Sequence, residues 1–111
     1  MWHPISKDEL LALVADPEVA GNAELRRFWE LIRIAPERWS LSPWGDEGGG
    51  FWVVAVLGSE CVYFNDIEEG FNLSPYQAFG VIGEYGCDQA EFRECLSSLL
   101  AKVRSALDRE A

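Results

Sequence analysis

The pattern of hydrophobic and polar positions divides the chain into helical segments near its ends and a strand-rich middle. Residues 51–57 and 61–65 are rich in β-branched and aromatic residues and are separated by a Gly-Ser turn, so they predict two adjacent strands. In these strands, both the odd-numbered and the even-numbered positions, which point to opposite faces of the sheet, are apolar. This pattern is typical of strands covered on both faces. Shorter runs at about 69–73 and 78–85 predict two more strands. Because the connections are short, we expect a four-stranded antiparallel meander.

Two helices are predicted before the strands. Ser6 and Glu9 form a capping-box pattern that begins a short helix, and Pro17 ends it. Asn22 caps a second helix, which Pro36 ends. The apolar residues of this second helix recur at helical spacing and predict one buried face: Leu25, Phe28, Trp29 and Ile32.

A long helix is predicted at about 88–109. Asp88 and Glu91 repeat the capping-box pattern, and an apolar stripe follows: Phe92, Cys95, Leu96, Leu99, Leu100, Val103 and Leu107. The chain has 111 residues, near the commonest domain size, and no linker divides it. We therefore predict a single α+β domain over residues 1–111, with two N-terminal helices and one C-terminal helix packed on one face of the sheet.

The second face of the predicted sheet also carries apolar residues, and two interpretations fit it. Residues 37–50 combine turn formers with no periodicity and predict a loop. In one interpretation this loop, with Trp39 and Trp44, folds over the second face. In the other, the face stays exposed as an interaction surface, through which the chain would form a homodimer.

Charge is unevenly distributed along the chain. The formal net charge is −10, and the segment between Trp39 and Phe92 holds no Lys, Arg or His but nine acids: Asp46, Glu47, Glu60, Asp66, Glu68, Glu69, Glu84, Asp88 and Glu91. Phosphate binding needs a basic surface, so this pattern argues against nucleic acid and an anionic membrane as partners. It favours a basic protein partner. The alternative is that these acids keep a hydrophobic sheet in solution.

Seven residues of this segment are predicted to form a partner-binding surface: Trp44, Asp46, Glu47, Asp66, Glu68, Glu69 and Asn72. An exposed aromatic anchor with charges around it is typical of protein interfaces. Other chemistry fits less well, because the carboxylate spacing does not match a calcium loop and the Gly-rich run lacks the helix and Lys of a phosphate cradle. Paired carboxylates also serve hydrolysis, but no substrate-binding groups accompany them here. We predict no metal and no cofactor.

The three cysteines, Cys61, Cys87 and Cys95, lack metal-binding spacing and are odd in number, so each is predicted to be a buried, reduced thiol. The first residues lack the basic region and apolar core of a secretory signal, and the longest apolar run is far below the roughly 20 residues that span a bilayer. The expectation is a cytoplasmic protein without membrane contact.

A combination of short segments carries a resemblance. The chain is similar to small uncharacterised bacterial proteins in the run from Trp44 to Gly49, an aromatic strand, and the run from Asn65 to Asn72 followed by Gly86-Cys87-Asp88-Gln89. In size, acidity and α+β order the chain also resembles immunity proteins of bacterial toxin systems. This resemblance implies a protein that binds and inhibits a basic partner.

Two functions of different classes follow. The first is a non-enzymatic protein that presents an acidic, aromatic surface to a basic protein, where charge complementarity would speed association. The second is a small-ligand module or enzyme with its pocket between the Gly-rich loop 45–50 and the sheet. The chain has a single histidine, His3, and no nucleophile with a base at recognisable spacing, which argues against the second.

Overall fold

The computed structural model describes residues 3–110, apart from the side chains of Glu47, Arg109 and Glu110. The chain forms helices, then a sheet, then a helix, in this order: α1 (Lys7–Val14), α2 (Pro17–Ala20), α3 (Ala23–Ile32), β1 (Arg33–Trp39), β2 (Phe51–Leu57), β3 (Glu60–Asn65), β4 (Gly70–Pro75) and α4 (Phe92–Glu110). The four strands pair antiparallel in the order β1-β2-β3-β4. The predicted α+β class and its four-stranded meander are therefore confirmed.

The predicted starts of the first helices are also confirmed. The Ser6 side chain accepts a hydrogen bond from the Glu9 amide at 3.1 Å, and the Glu9 carboxylate accepts one from the Ser6 amide at 3.2 Å. Asn22 caps α3 through the Leu25 amide at 3.1 Å. The sequence did not predict α2, because we interpreted Pro17 as a stop; its missing amide suits the first position of a new helix, which Asp16 caps.

The strands do not all lie where we predicted them. Residues 33–39, interpreted as a helix end and a loop, form β1 because α3 already ends at Ile32. Pro36 fits there because β1 is an edge strand, and the pairing with β2 is irregular between Arg33 and Glu37. Residues 78–85 are not a strand: Gly80 has a φ of 99°, and the segment makes one isolated bridge, between Val81 and Ser40.

The helix-side core lies between the sheet and the helices. It joins four residues of α3 and four of α4 to the sheet residues Val54, Ala55, Val62, Phe64 and Phe71. Val54 and Ala55 both face this core because a bulge shifts the register between Val53 and Ala55. The predicted stripe of α4 is buried over its first half, at Phe92, Cys95, Leu96 and Leu99, whereas Leu107 is 62% exposed.

The second face of the sheet is covered mainly by residues 76–88, which we call the cover segment. A second core joins Trp39, Leu41, Phe51, Val53, Cys61 and Tyr63 to Ile82, with Tyr76 and Tyr85 packed against it. The predicted loop 37–50 contributes Leu41 to this core, but its Trp44 is 48% exposed. The sheet residues of this core are buried, so the second face is covered, and the interpretation in which it stays exposed as an interaction surface does not hold.

The first half of the cover segment bonds backbone groups of Ser40, Ser59 and Pro75, and its second half, residues 84–88, is held by side chains of the sheet. The Tyr63 hydroxyl donates to the Glu84 carbonyl at 3.1 Å and accepts from the Gly86 amide at 2.6 Å. Asn65 donates to the Gly86 carbonyl at 2.8 Å, and the Ser74 hydroxyl accepts from the Glu84 amide at 2.8 Å. These bonds satisfy backbone groups that would otherwise lack partners in an irregular, half-buried segment.

The last helix begins at Phe92, four residues later than predicted. Asn72 bonds both the amide and the carbonyl of Asp88 at 3.0 Å, and the Phe71 amide donates to the Ala90 carbonyl at 2.9 Å. These contacts keep residues 88–90 extended beside β4, so the chain turns helical only after Glu91. Within residues 3–110, no helix is both long enough and apolar enough to cross a membrane.

The burial of α4 generates a stability prediction. Leu99 is 2% exposed in the helix-side core, so Leu99→Ala should lower the free energy of unfolding by about 2–5 kcal/mol. Leu107→Ala on the same helix serves as the control and should change it by less than about 0.5 kcal/mol. Both values come from urea denaturation. Equal effects of the two substitutions would contradict this placement of α4.

Candidate functional site

A cleft of about 810 Å³ opens where the N-terminal segment and α1 meet the β3–β4 turn and the start of α4. Eight apolar residues line it: Pro4, Ile5, Ala12, Leu13, Phe64, Phe71, Ala90 and Phe92. The polar lining residues are five acids, one histidine and one glutamine: Glu9, Asp16, Asp66, Glu69, Glu91, His3 and Gln89. The cleft therefore combines an apolar base with an acidic lining, and we call it the acidic cleft.

The β3–β4 turn is shaped by Asn65. Its side-chain oxygen accepts hydrogen bonds from the amides of Ile67 at 3.0 Å and Glu68 at 3.2 Å, which is the local turn geometry that asparagine favours. Its amide nitrogen is bonded to the Gly86 carbonyl, so the turn is tied to the cover segment. Asp66 and Glu69 lie within this turn and thus reach the cleft from a fixed backbone.

The N-terminal wall of the cleft is fixed by Ile5. Its amide donates to a carboxylate oxygen of Asp66 at 2.8 Å, and its carbonyl accepts from the indole nitrogen of Trp52 at 3.0 Å. Asp66 is buried and Ile5 is half-buried, so this hydrogen bond is partly shielded from water. The two bonds hold the segment that leads into α1 against the end of the sheet.

The electrostatic character of the cleft follows from its lining. Five carboxylates come from α1, the residue that caps α2, the β3–β4 turn and the residue before α4. Two of them also cap helices: Glu9 at α1 and Asp16 at α2. No Lys or Arg lies among the described lining residues, so the lining itself carries a net negative charge. A smaller cleft of about 310 Å³ between α1 and α3 differs, because Arg26 and Arg33 line it.

Glu69 has an unusual backbone. Its φ is 59°, in the left-handed region that glycine and asparagine tolerate and that costs other residues about 1 kcal/mol. Its exposed side chain lines the acidic cleft. The turn thus holds a carboxylate at a position where the backbone alone favours glycine, which is the kind of outlier that points to a functional role.

The predicted site residues fall into three places. Asp66 and Glu69 line the acidic cleft, and Glu68 is half-buried next to them in the turn without lining it. Asn72 is 3% exposed and is fully engaged with the backbone of Gly70 and Asp88. Its predicted role in binding a partner is therefore replaced by a structural one, which the sequence could not show because the contact spans 16 positions.

The remaining predicted residues lie in the loop before β2, away from the cleft lining. Trp44 stacks on Tyr85 with ring centroids 4.7 Å apart, and Asp46 accepts a hydrogen bond from the Ser42 hydroxyl at 2.8 Å. The side chain of Glu47 lies outside the described part of the structure. The predicted surface is therefore divided, and of its seven residues only Asp66 and Glu69 line the cleft.

The Gly-rich loop packs closely on the strands that flank it. A Cβ atom at Gly50 would lie 2.3 Å from the Trp39 carbonyl oxygen, and one at Gly45 would lie 3.2 Å from the Phe51 ring. Residues 45–50 line neither of the two clefts described above. The glycines thus serve close packing here, and a ligand pocket between this loop and the sheet gains no support.

Sequence analysis missed Glu9, Asp16 and Glu91 as site residues. We assigned Glu9 and Glu91 to helix capping and Asp16 to a helix stop, and local signals of this kind carry no information on what a side chain faces across the fold. Their convergence depends on contacts such as Ile5 with Asp66, which are 61 positions apart.

The described residues offer little reactive chemistry. Among them, no three His, Cys, Asp or Glu side chains are grouped to hold a metal ion. Burial, with a smaller effect of Glu60, raises the pKa of Cys61 to about 12, and burial also raises the pKa of Cys95 to about 12. Cys87 is exposed, which corrects the prediction that all three thiols are buried.

Comparisons with known proteins found no match. No protein-family model matches the chain, and neither a curated protein nor a solved structure does. The resemblance to bacterial immunity proteins therefore stays a prediction, and a functional assignment rests on the geometry and charge of the acidic cleft.

The backbone of Glu69 generates a testable prediction. Glu69→Gly relieves the left-handed conformation and should raise the free energy of unfolding by up to about 1 kcal/mol. Glu68→Gly is the control: its φ is not positive, so added chain entropy should lower stability by roughly 0.5–1 kcal/mol. Thermal and urea unfolding report both values. A loss of stability in Glu69→Gly would show that the turn is not strained.

Thiol reactivity generates a second prediction. A thiol reagent such as DTNB at pH 8 should rapidly modify Cys87 alone, because buried thiols with raised pKa values supply almost no thiolate. Cys87→Ser should abolish the fast phase, while full denaturation should expose Cys61 and Cys95. Fast modification of two or more thiols in the native protein would disprove their burial.

Proposed function

We propose that this chain is a non-enzymatic binding protein that presents its acidic cleft to a basic protein partner. The observation that carries the proposal is a cleft of about 810 Å³ lined by five carboxylates and, among the described lining residues, by no Lys or Arg. An inhibitor of a basic protein, such as an immunity protein, is the form of this function that the sequence resemblance favours.

The physical basis is electrostatic focusing. Charges of one sign on the walls of a cleft add their potentials, and low-dielectric walls reduce screening between them. Such a field steers an oppositely charged protein to the site and raises its association rate by about 10-fold to 1,000-fold. Three of the carboxylates, those of Glu9, Glu69 and Glu91, are exposed and accessible to a partner.

The placement of the acids favours binding over solubility alone. Acids that serve only to keep a protein in solution need no common position, since any exposed site repels other molecules equally well. Here five of them, from four separate parts of the chain, converge on one concave surface with phenylalanines at its base. Interfaces are commonly built from apolar centres surrounded by charged residues.

A reducing, cytoplasmic compartment is part of this proposal. Cys61, Cys87 and Cys95 are free thiols, and proteins of oxidising compartments usually pair their cysteines. The exposed Cys87 in particular would be liable to oxidation there.

The function generates a prediction about association rates. A basic protein retained by the wild-type chain should associate about tenfold or more slowly with the double variant Glu69→Lys, Glu91→Lys, and its rate should depend less on salt. Both residues are exposed, so the fold should be kept. Stopped-flow or surface-based kinetics at low and high salt measure these rates.

The matched control carries the same charge change away from the cleft. Glu30 and Asp108 are exposed and do not line the cleft. The double variant Glu30→Lys, Asp108→Lys therefore changes the net charge by the same amount as the cleft variant, at positions outside the cleft lining. The control should slow association by less than about twofold, as expected for distant screened charges. If both variants slow association equally, the partner responds to net charge and the cleft is not its site.

A further inference from the structure

We infer that the acidic cleft binds one short segment of its partner in which an apolar side chain lies between Lys or Arg residues. This inference rests on the proposed function and adds the chemistry that the cleft would recognise. It follows from two features of the lining that act together, the aromatic base and the carboxylates around it.

The base of the cleft is a cluster of phenylalanines set in the helix-side core. The rings of Phe64 and Phe71 have centroids 4.9 Å apart, and those of Phe71 and Phe92 are 5.1 Å apart, with both pairs tilted by more than 50°. Each ring is less than 10% exposed, so the cluster is held in place by packing. Leu13, which is 43% exposed, adds an apolar wall. An apolar side chain entering the cleft would therefore meet Leu13 and the small exposed parts of these fixed rings.

The carboxylates that surround this base come from separate parts of the chain. Glu9 lies on α1, Asp16 precedes α2, Glu69 ends the β3–β4 turn and Glu91 precedes α4. Asp66 is different, because it is buried and one of its oxygens accepts the Ile5 amide. We assign it as a positioning residue that fixes the wall, while the four others face the cations of the partner.

Neither feature is sufficient alone. An exposed ion pair contributes little to affinity and is screened beyond about 8 Å at physiological ionic strength. A purely apolar segment would remove water from the carboxylates without replacing their hydrogen bonds, which is unfavourable. A segment with both residue types satisfies the acidic lining and covers the aromatic base, so charge complementarity defines the occupant.

A second copy of this chain does not fit the cleft well. The three basic side chains of α4 that the structure describes already have partners within the molecule: Arg93 with Glu18, Lys102 with Glu60, and Arg104 with Glu24. The formal net charge of −10 also opposes self-association at an acidic surface. The occupant is therefore expected to be a different, basic protein.

Two synthetic peptides of equal charge test the inference. We would titrate the isotopically labelled chain with acetylated, amidated Lys-Lys-Leu-Lys-Lys and with Lys-Lys-Ser-Lys-Lys, and follow backbone amide shifts by NMR. The leucine peptide should bind about fivefold to tenfold more tightly, because its side chain covers apolar surface at the base. The shifts should centre on the turn around Glu69 and on residues 89–92.

Variants separate charge from apolar contact. Glu69→Gly should weaken both peptides by about threefold, and because this change is expected to leave the fold at least as stable, unfolding would not explain the loss. Leu13→Ala should reduce the preference for leucine over serine while leaving the serine peptide unaffected. Glu30→Gln, away from the cleft, should change neither affinity by more than about 1.5-fold.

Equal affinity of the two peptides, shifts outside the cleft, or no binding at all would overturn this inference. These results would leave the proposed function standing if the association rate of a basic protein still depended on Glu69 and Glu91. Conversely, a rate that is insensitive to these residues would remove the proposed function, whatever the peptides show.

Discussion

An irregular segment can close one face of a sheet only if its backbone groups find hydrogen-bond partners, and this constraint governs the structure. In the cover segment, residues 76–83 bond backbone groups of Ser40, Ser59 and Pro75, whereas side chains from the sheet supply the partners of residues 84–88. Tyr63, Asn65, Asn72 and Ser74 are all nearly fully buried, and each bonds the segment's backbone. Burial raises the pKa of Tyr63 to about 12, so its hydroxyl keeps the proton that it donates.

The same contacts place one wall of the acidic cleft. Asn72 fixes Asp88, and the Phe71 amide fixes Ala90, so the chain reaches Glu91 and Phe92 at a defined position beside β4. Close approach is required here: a Cβ atom at Gly70 would lie 2.3 Å from the Asp88 carbonyl oxygen. The contacts that hold the cover segment on the second face thus also bring Glu91 and Phe92 to the acidic cleft on the helix side of the sheet.

Much of the fold follows from local patterns, and the errors have identifiable causes. Caps at Ser6 and Asn22 act within one helical turn, so the sequence predicts them well. The sequence did not predict strand β1, residues 33–39, because Pro36 breaks helices and central strands. An edge strand such as β1 tolerates a proline. Residues 78–85 have strand-like composition, yet their contacts with the second core come from Ile82 and Tyr85 in an irregular path. For the site, the turn acids Asp66 and Glu69 were predicted, but convergence with Glu9, Asp16 and Glu91 depends on the tertiary fold.

The number of acids in the middle of the chain therefore matters less than where the fold directs them. Of the nine acids between Trp39 and Phe92, three line the cleft: Asp66, Glu69 and Glu91. Glu60 instead holds α4 through Lys102 at 2.8 Å, and Asp46 accepts a hydrogen bond from Ser42. Glu9 and Asp16, from the almost balanced N-terminal segment, complete the lining. The acidic character of this cleft arises from convergence of carboxylates on one concave surface, which net charge along the sequence describes only in part.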